Sequence, residues 1–132
     1  MKGEKMTNLI KSFTYGEDIE EKTAVKFSEE GVVVKATSNS DKVCGVTLFT
    51  GREGVRGDIL MLGLGVVATS GAVNAGDFLV AGENGKLEAL DLENAEENIV
   101  IVARVLETAS SSAHLSAIVN PQLITVNTDV QN

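Results

Sequence analysis

The chain has one cysteine, one histidine, one proline and no tryptophan among its 132 residues. Each scarcity removes a class of protein. A lone Cys44 excludes an intramolecular disulfide and is compatible with a reducing cytoplasm. One cysteine with one histidine cannot build a Cys/His zinc site. His114 could join a Ser-His-Asp arrangement, but no Gly-x-Ser-x-Gly elbow surrounds any serine. The plain reading of His114 is a strand-edge histidine, and of Cys44 a small core residue between Val43 and Gly45.

Positive charge is also short. Eleven Lys and Arg stand against 19 Asp and Glu, a formal net charge of −8. Nucleic-acid and anionic-membrane partners both need clustered cations, so neither is expected. Aromatic residues amount to 4% of the chain: Phe13, Tyr15, Phe27, Phe49 and Phe78. That weakens readings as carbohydrate-binding or single-strand-binding β-domains, which present aromatic stacking platforms. Long hydrophobic runs are missing too. The most apolar stretch, 59–68, is short for a bilayer and is cut by Gly63 and Gly65. Residues 1–11 are polar and lack the apolar core of a signal peptide.

What is present points to β-structure. Valine and threonine are frequent, 13 glycines punctuate the chain, and apolar runs are brief. Strands are predicted at 9–15, 23–27, 31–36, 43–49, 58–62, 66–69, 77–80, 86–90, 99–107 and 114–119, with short connections. Residues 92–98 read as a loop or a single turn. The expected fold is all-β: a compact barrel or sandwich of short antiparallel strands. Residues 13–119 form one β domain between an N-terminal arm (1–12) and a C-terminal tail (120–132), with Pro121 marking the break.

Two hairpins are signalled by Ser28-Glu29-Glu30-Gly31 and Glu83-Asn84-Gly85. Each is followed by a further β unit, Val43-Cys44-Gly45-Val46 and Val102-Ala103-Arg104-Val105, which suggests two pseudo-repeated β-meanders. Gly57-Asp58 and Gly76-Asp77 both read as a turn that starts a strand, with the aspartate capping it.

Few residues offer a site. The acidic cluster Asp91, Glu93, Glu96 and Glu97 lacks the ligand alternation of a calcium loop and reads as a solvated face. The loop 50–57 carries three glycines with Arg52 and Arg56 but lacks the ending of a phosphate-binding loop. It reads either as a flexible connection or as a basic contact to an acidic protein surface. The two ends hold apolar residues among polar ones: Met6, Leu9 and Ile10 at one, Leu123, Ile124 and Val126 at the other. These eight residues, Arg52 and Arg56 included, are the candidate partner contacts. No catalytic residue, metal or cofactor is predicted.

Three runs, DKVCGVTLFT (41–50), GDILMLGLGVVATSGAVNAGDFLVAGENGKLEAL (57–90) and NIVIVARVLETASSSAHLSAIV (98–119), are similar in order and turn pattern to the capsid decoration, or cement, proteins of tailed bacteriophages. Gly45-Val46, Gly57-Asp58-Ile59, Val73 to Leu79, Gly85 and Arg104 to Glu107 carry the resemblance; Ala103 stands where that family more often has glycine. The resemblance implies a non-enzymatic protein made in the host cytoplasm. It implies attachment to the outside of the major capsid protein shell, often as a trimer, where the protein stabilises the shell. The alternative is a non-catalytic β module that binds carbohydrate or protein.

Overall fold

One strand of 14 residues, β5 (Arg56–Thr69), organises the whole molecule. The computed structural model describes residues 8–94 and 98–125. Ahead of β5 come β1 (Leu9–Tyr15), β2 (Ala24–Glu29), β3 (Val32–Lys35) and β4 (Val43–Thr47). Behind it come β6 (Phe78–Ala81), β7 (Leu87–Ala89), β8 (Asn98–Val105) and β9 (Ala113–Thr125), with single 3₁₀ turns at Glu83–Gly85 and Leu92–Asn94. The all-β expectation holds.

The strands close into two five-stranded barrels that share β5. The first runs β1-β3-β2-β4-β5 and closes by β1 pairing with β5; the second runs β5-β7-β6-β8-β9 and closes by β5 pairing with β9. Not every pair is antiparallel, as the sequence suggested. β1–β3 and β5–β7 are parallel. The reason is arithmetic: strand direction cannot alternate all the way round a ring of five.

The two barrels are one topology used twice, down to the residue. Through the first three strands, each position of the first barrel matches the one 54 later. The bridge residue Ile19 matches Val73, and the positive-φ turn residues Lys22 and Gly31 match Gly76 and Gly85. The backbone bond Gly16 N to Val33 O matches Ser70 N to Leu87 O. Four residues are then added, and the offset becomes 58. Val25 pairs with Gly45 as Leu79 pairs with Ala103, and both pairings slip at the next residue. Lys11 opposite Ile59 matches Gly65 opposite Ala117.

The two meanders are therefore a true duplication, although the frame read from sequence needs correcting. Val43-Cys44-Gly45-Val46 corresponds to Ile101-Val102-Ala103-Arg104, one residue earlier than expected. The two Gly-Asp pairs are not equivalents. Asp77 does cap a turn, its Oδ2 accepting from Asn74 N at 2.9 Å, and Gly76-Asp77 matches Lys22-Thr23. Gly57-Asp58 lies inside β5, where Ser12 Oγ donates to Asp58 Oδ1 at 2.6 Å.

Two predicted breaks are also absent. Gly63 and Gly65 sit within β5 rather than ending it. A Cβ on Gly65 would collide with the side chain of Leu60, so glycine here makes room for a core leucine. Pro121 lies within β9, where the register with β8 shifts between Ile101 and Ala103. A bulge is one of the few places where a strand tolerates a residue with no N–H.

Two cores result. Phe13, Tyr15, Ile19, Val25, Val33 and Ile59 fill the first barrel. The larger core fills the second barrel with residues such as Leu79, Leu87 and Val105. It also takes in Ala24, Val46 and Leu60 from the outer face of the first.

Candidate functional site

The loop 50–57, read as a possible flexible connection, is firmly tied. It wraps the ring of Tyr15. Tyr15 N donates to Val55 O, Gly54 N to Tyr15 O, and the Tyr15 hydroxyl to Phe49 O at 2.7 Å. A Cβ at Gly51 or Gly57 would run into the Tyr15 ring, so these glycines permit close approach. Burial, helped by the charge of Asp58, raises the Tyr15 pKa above its ordinary value.

The two arginines of this loop part company. Arg56 opens β5, and its guanidinium donates to Ser12 O at 2.9 Å. Arg52 is exposed and lines a cleft of about 810 Å³ at the junction of the barrels. Asp18, Glu20 and Lys35 line the cleft from the first barrel, and Asn84 and Lys86 from the second.

Of the terminal candidates, Met6 and Val126 lie outside the described residues. The others are not on unpartnered arms. Leu9 and Ile10 belong to β1 and pair with Leu62 and Leu60. Leu123 and Ile124 belong to β9 and pair with Val100 and Ile99. The sequence placed these residues on an arm and a tail outside the β domain, with no strand partner. Backbone pairing supplies one: Leu60 and Leu62 of β5 at the N-terminal side, and β8 at the other, where β9 runs on past its predicted end at 119. Leu9 and Leu123 nonetheless keep their side chains exposed.

The thiol of Cys44 is not an activated one. Cys44 on β4 is half-buried, and desolvation pushes its thiol up to about 11. Such a thiol stays protonated near neutrality and is a poor nucleophile. His114 on β9 is exposed and lines a shallow cleft with Glu20, Thr50 and Lys86. Among the described residues no group of three His, Cys, Asp or Glu could hold a metal ion. Glu96 and Glu97 of the acidic cluster lie outside those residues.

Sequence reasoning missed one surface. Phe78 pairs with Arg104, Arg104 with Ile118 and Ile118 with Leu64, so these four form a row across β6, β8, β9 and β5. The three apolar members are 44–47% exposed. Leu62 and Val66, either side of Leu64 on the same face of β5, are exposed as well. The Arg104 guanidinium lies 5.5 Å from the centre of the Phe78 ring. A signal was available: Leu62-Gly63-Leu64-Gly65-Val66 alternates large and small with the period of a strand.

Neither a protein-family model nor a curated protein matches this chain. Among solved structures it is similar to the N base of head fiber gp8.5 of bacteriophage phi29. The TM-score is 0.66 and the identity 13%, covering 86% of this chain and 95% of that one. At this identity the likeness is one of fold.

Proposed function

We propose that this chain is a non-enzymatic structural protein of a bacteriophage virion. On this reading it attaches to the outer surface of the major capsid protein shell, stabilises the shell, and works as a homo-oligomer. The observation that carries the reading is the fold likeness to a phage head-fiber base over 95% of that base. The resemblance to phage decoration proteins, over roughly residues 9–119, supports it as well. So do the net charge of −8, which suits neither nucleic acid nor membrane, and the raised thiol pKa of Cys44.

The test is binding. Purified chain is mixed with DNA-free shells of the major capsid protein from the virus that encodes it, and the shells are sedimented. Saturable co-sedimentation with a raised shell melting temperature is expected. Failure to co-sediment at any concentration, together with absence of the chain from purified virions by mass spectrometry, overturns the reading.

A further inference from the structure

The duplication separates the charges that the fold needs from those it does not. Thr50 Oγ1 accepts from Glu21 N at 3.1 Å, and its counterpart Thr108 Oγ1 accepts from Ala75 N at 2.9 Å. That bond ties the end loops together in both barrels. The charged residues around it are not repeated. Lys35, Arg52 and Lys86 correspond to Ala89, Ser110 and Val32, and Asp18 and Glu20 correspond to Ala72 and Asn74. Each position therefore has an uncharged version in an otherwise equivalent barrel.

All five charges line one cleft, the space of about 810 Å³ at the junction of the barrels. Lys35 ends β3, Arg52 lies in the loop 50–57 and Lys86 follows the second hairpin turn, so three separate segments bring cations to one place. None of the three side chains is used within the fold. The ion pairs among the described residues are Lys22 with Glu21 and Lys26 with Asp41, and no hydrogen bond among those residues involves the three cationic heads. Arg56 and Arg104, by contrast, donate to Ser12 O and Gly76 O. Of the two acids, Asp18 is already engaged, its Oδ1 accepting from Glu53 N at 2.9 Å. The cleft thus holds three unpaired cations against Glu20 and a partly satisfied Asp18, in a chain of net charge −8.

We propose that this cleft receives an acidic segment of the shell protein, whose carboxylates pair with Lys35, Arg52 and Lys86. A cleft of this volume is in the range that admits a ligand of several side chains. Cations from three segments suit several separate carboxylates better than one compact anion. Glu20 and Asp18 in the same cleft oppose the unbroken negative charge of a nucleic acid. A polypeptide can place a neutral or basic residue against them, so the two acids act for selectivity. Opposed charges of this kind set orientation and speed encounter, and they weaken with salt.

The inference rests on the shell-binding part of the proposed function, and the test separates the two. Affinity for DNA-free shells is measured by co-sedimentation at low and high salt for three proteins, each checked for native circular dichroism. They are the wild type, the double substitution Arg52→Glu with Lys86→Glu, and a control, Lys11→Glu with Lys42→Glu. All four residues are exposed, the two doubles change net charge equally, and Lys11 and Lys42 lie outside the cleft. The cleft variant is expected to bind about tenfold or more weaker at low salt and to lose most of the wild type's salt dependence. The control should stay within about twofold of the wild type. Equal losses in the two doubles would mean that net charge alone matters, and would overturn the cleft as the contact. Unchanged binding by the cleft variant overturns it too, while leaving the capsid reading standing. A wild type that binds no shells overturns both. Duplex DNA shifted in a gel by the wild type but not by the cleft variant would make the occupant a nucleic acid and overturn a protein one.

Discussion

Gly31 and Gly85 form a natural matched pair for measuring how strongly the two barrels hold each other. They occupy equivalent hairpin positions with nearly the same backbone, φ +76 and +74. A Cβ on Gly31 meets nothing within 4 Å, whereas one on Gly85 would collide with Thr23 Cγ2 and lie 2.7 Å from Ala24 O. Alanine at either site bears the cost of left-handed backbone, about 1–2 kcal/mol. At Gly85 it must also push the second hairpin off the first barrel, and overpacking of this kind costs about 1–3 kcal/mol more. Gly31→Ala should therefore destabilise by about 1–2 kcal/mol and Gly85→Ala by about 2–5 kcal/mol. Urea unfolding of both variants beside the wild type, followed by far-ultraviolet circular dichroism, gives the two values from the shift in midpoint at constant slope. Equal losses would refute the claim that Gly85 is an inter-barrel contact rather than only a turn residue. A larger loss at Gly31 would refute the equivalence of the hairpins as well.

Other consequences are quickly checked. Tyr15→Phe removes the hydroxyl that donates to Phe49 O and should cost about 1 kcal/mol in the same urea assay; no loss would mean the loop holds without that bond. Cys44, with its thiol at about 11, should have about one molecule in a thousand as thiolate at pH 8. It should react with a disulfide reagent only once denaturant is added; fast labelling of the native protein would contradict its burial. For Asp41, burial pushes the pKa up, but the N–H groups of Thr37 and Ser38 and the Lys26 ammonium outweigh it, so the net shift is downward. A carboxylate with a lowered folded pKa stabilises fully above its unfolded value and loses that contribution as pH falls through the folded one. The stability gap between wild type and Asp41→Asn should therefore be widest at neutral pH and close below the ordinary aspartate range; a gap that widens with acid would reverse the assignment. His114→Ala, at an exposed position, should leave both stability and shell binding unchanged.

Much of the fold was legible because its signals are local. The strand predicted over residues 9–15 has both ends correct, since β1 spans Leu9–Tyr15. Asn84-Gly85 adopts the two positive φ values expected of a hairpin tip. The long strands were harder. Gly63 and Gly65 look like punctuation when only neighbours in sequence are considered, yet Gly65 is small because of Leu60, five residues away. The candidate contacts were legible in kind but not in place. Apolar residues at the chain ends were noticed, while the larger row through Phe78, Ile118 and Leu64 is assembled from four strands and has no contiguous trace.

By itself, the sequence determined the chemistry available to this protein. Residue types and turn signals commit it to short-range β-structure, a negative surface and a pair of similar hairpins, because these depend on local backbone preference and on charge. Tertiary structure alone decided that the hairpins belong to two closed barrels built on one strand. It alone decided that Ala24, Val46 and Leu60 are buried while Phe78, Arg104 and Ile118 are exposed. Few of the matched residues are identical, so the duplication is held in hydrogen-bond register rather than in side chains. Which copy of a repeated surface is covered depends on what lies across from it, and that neighbour is distant in the chain.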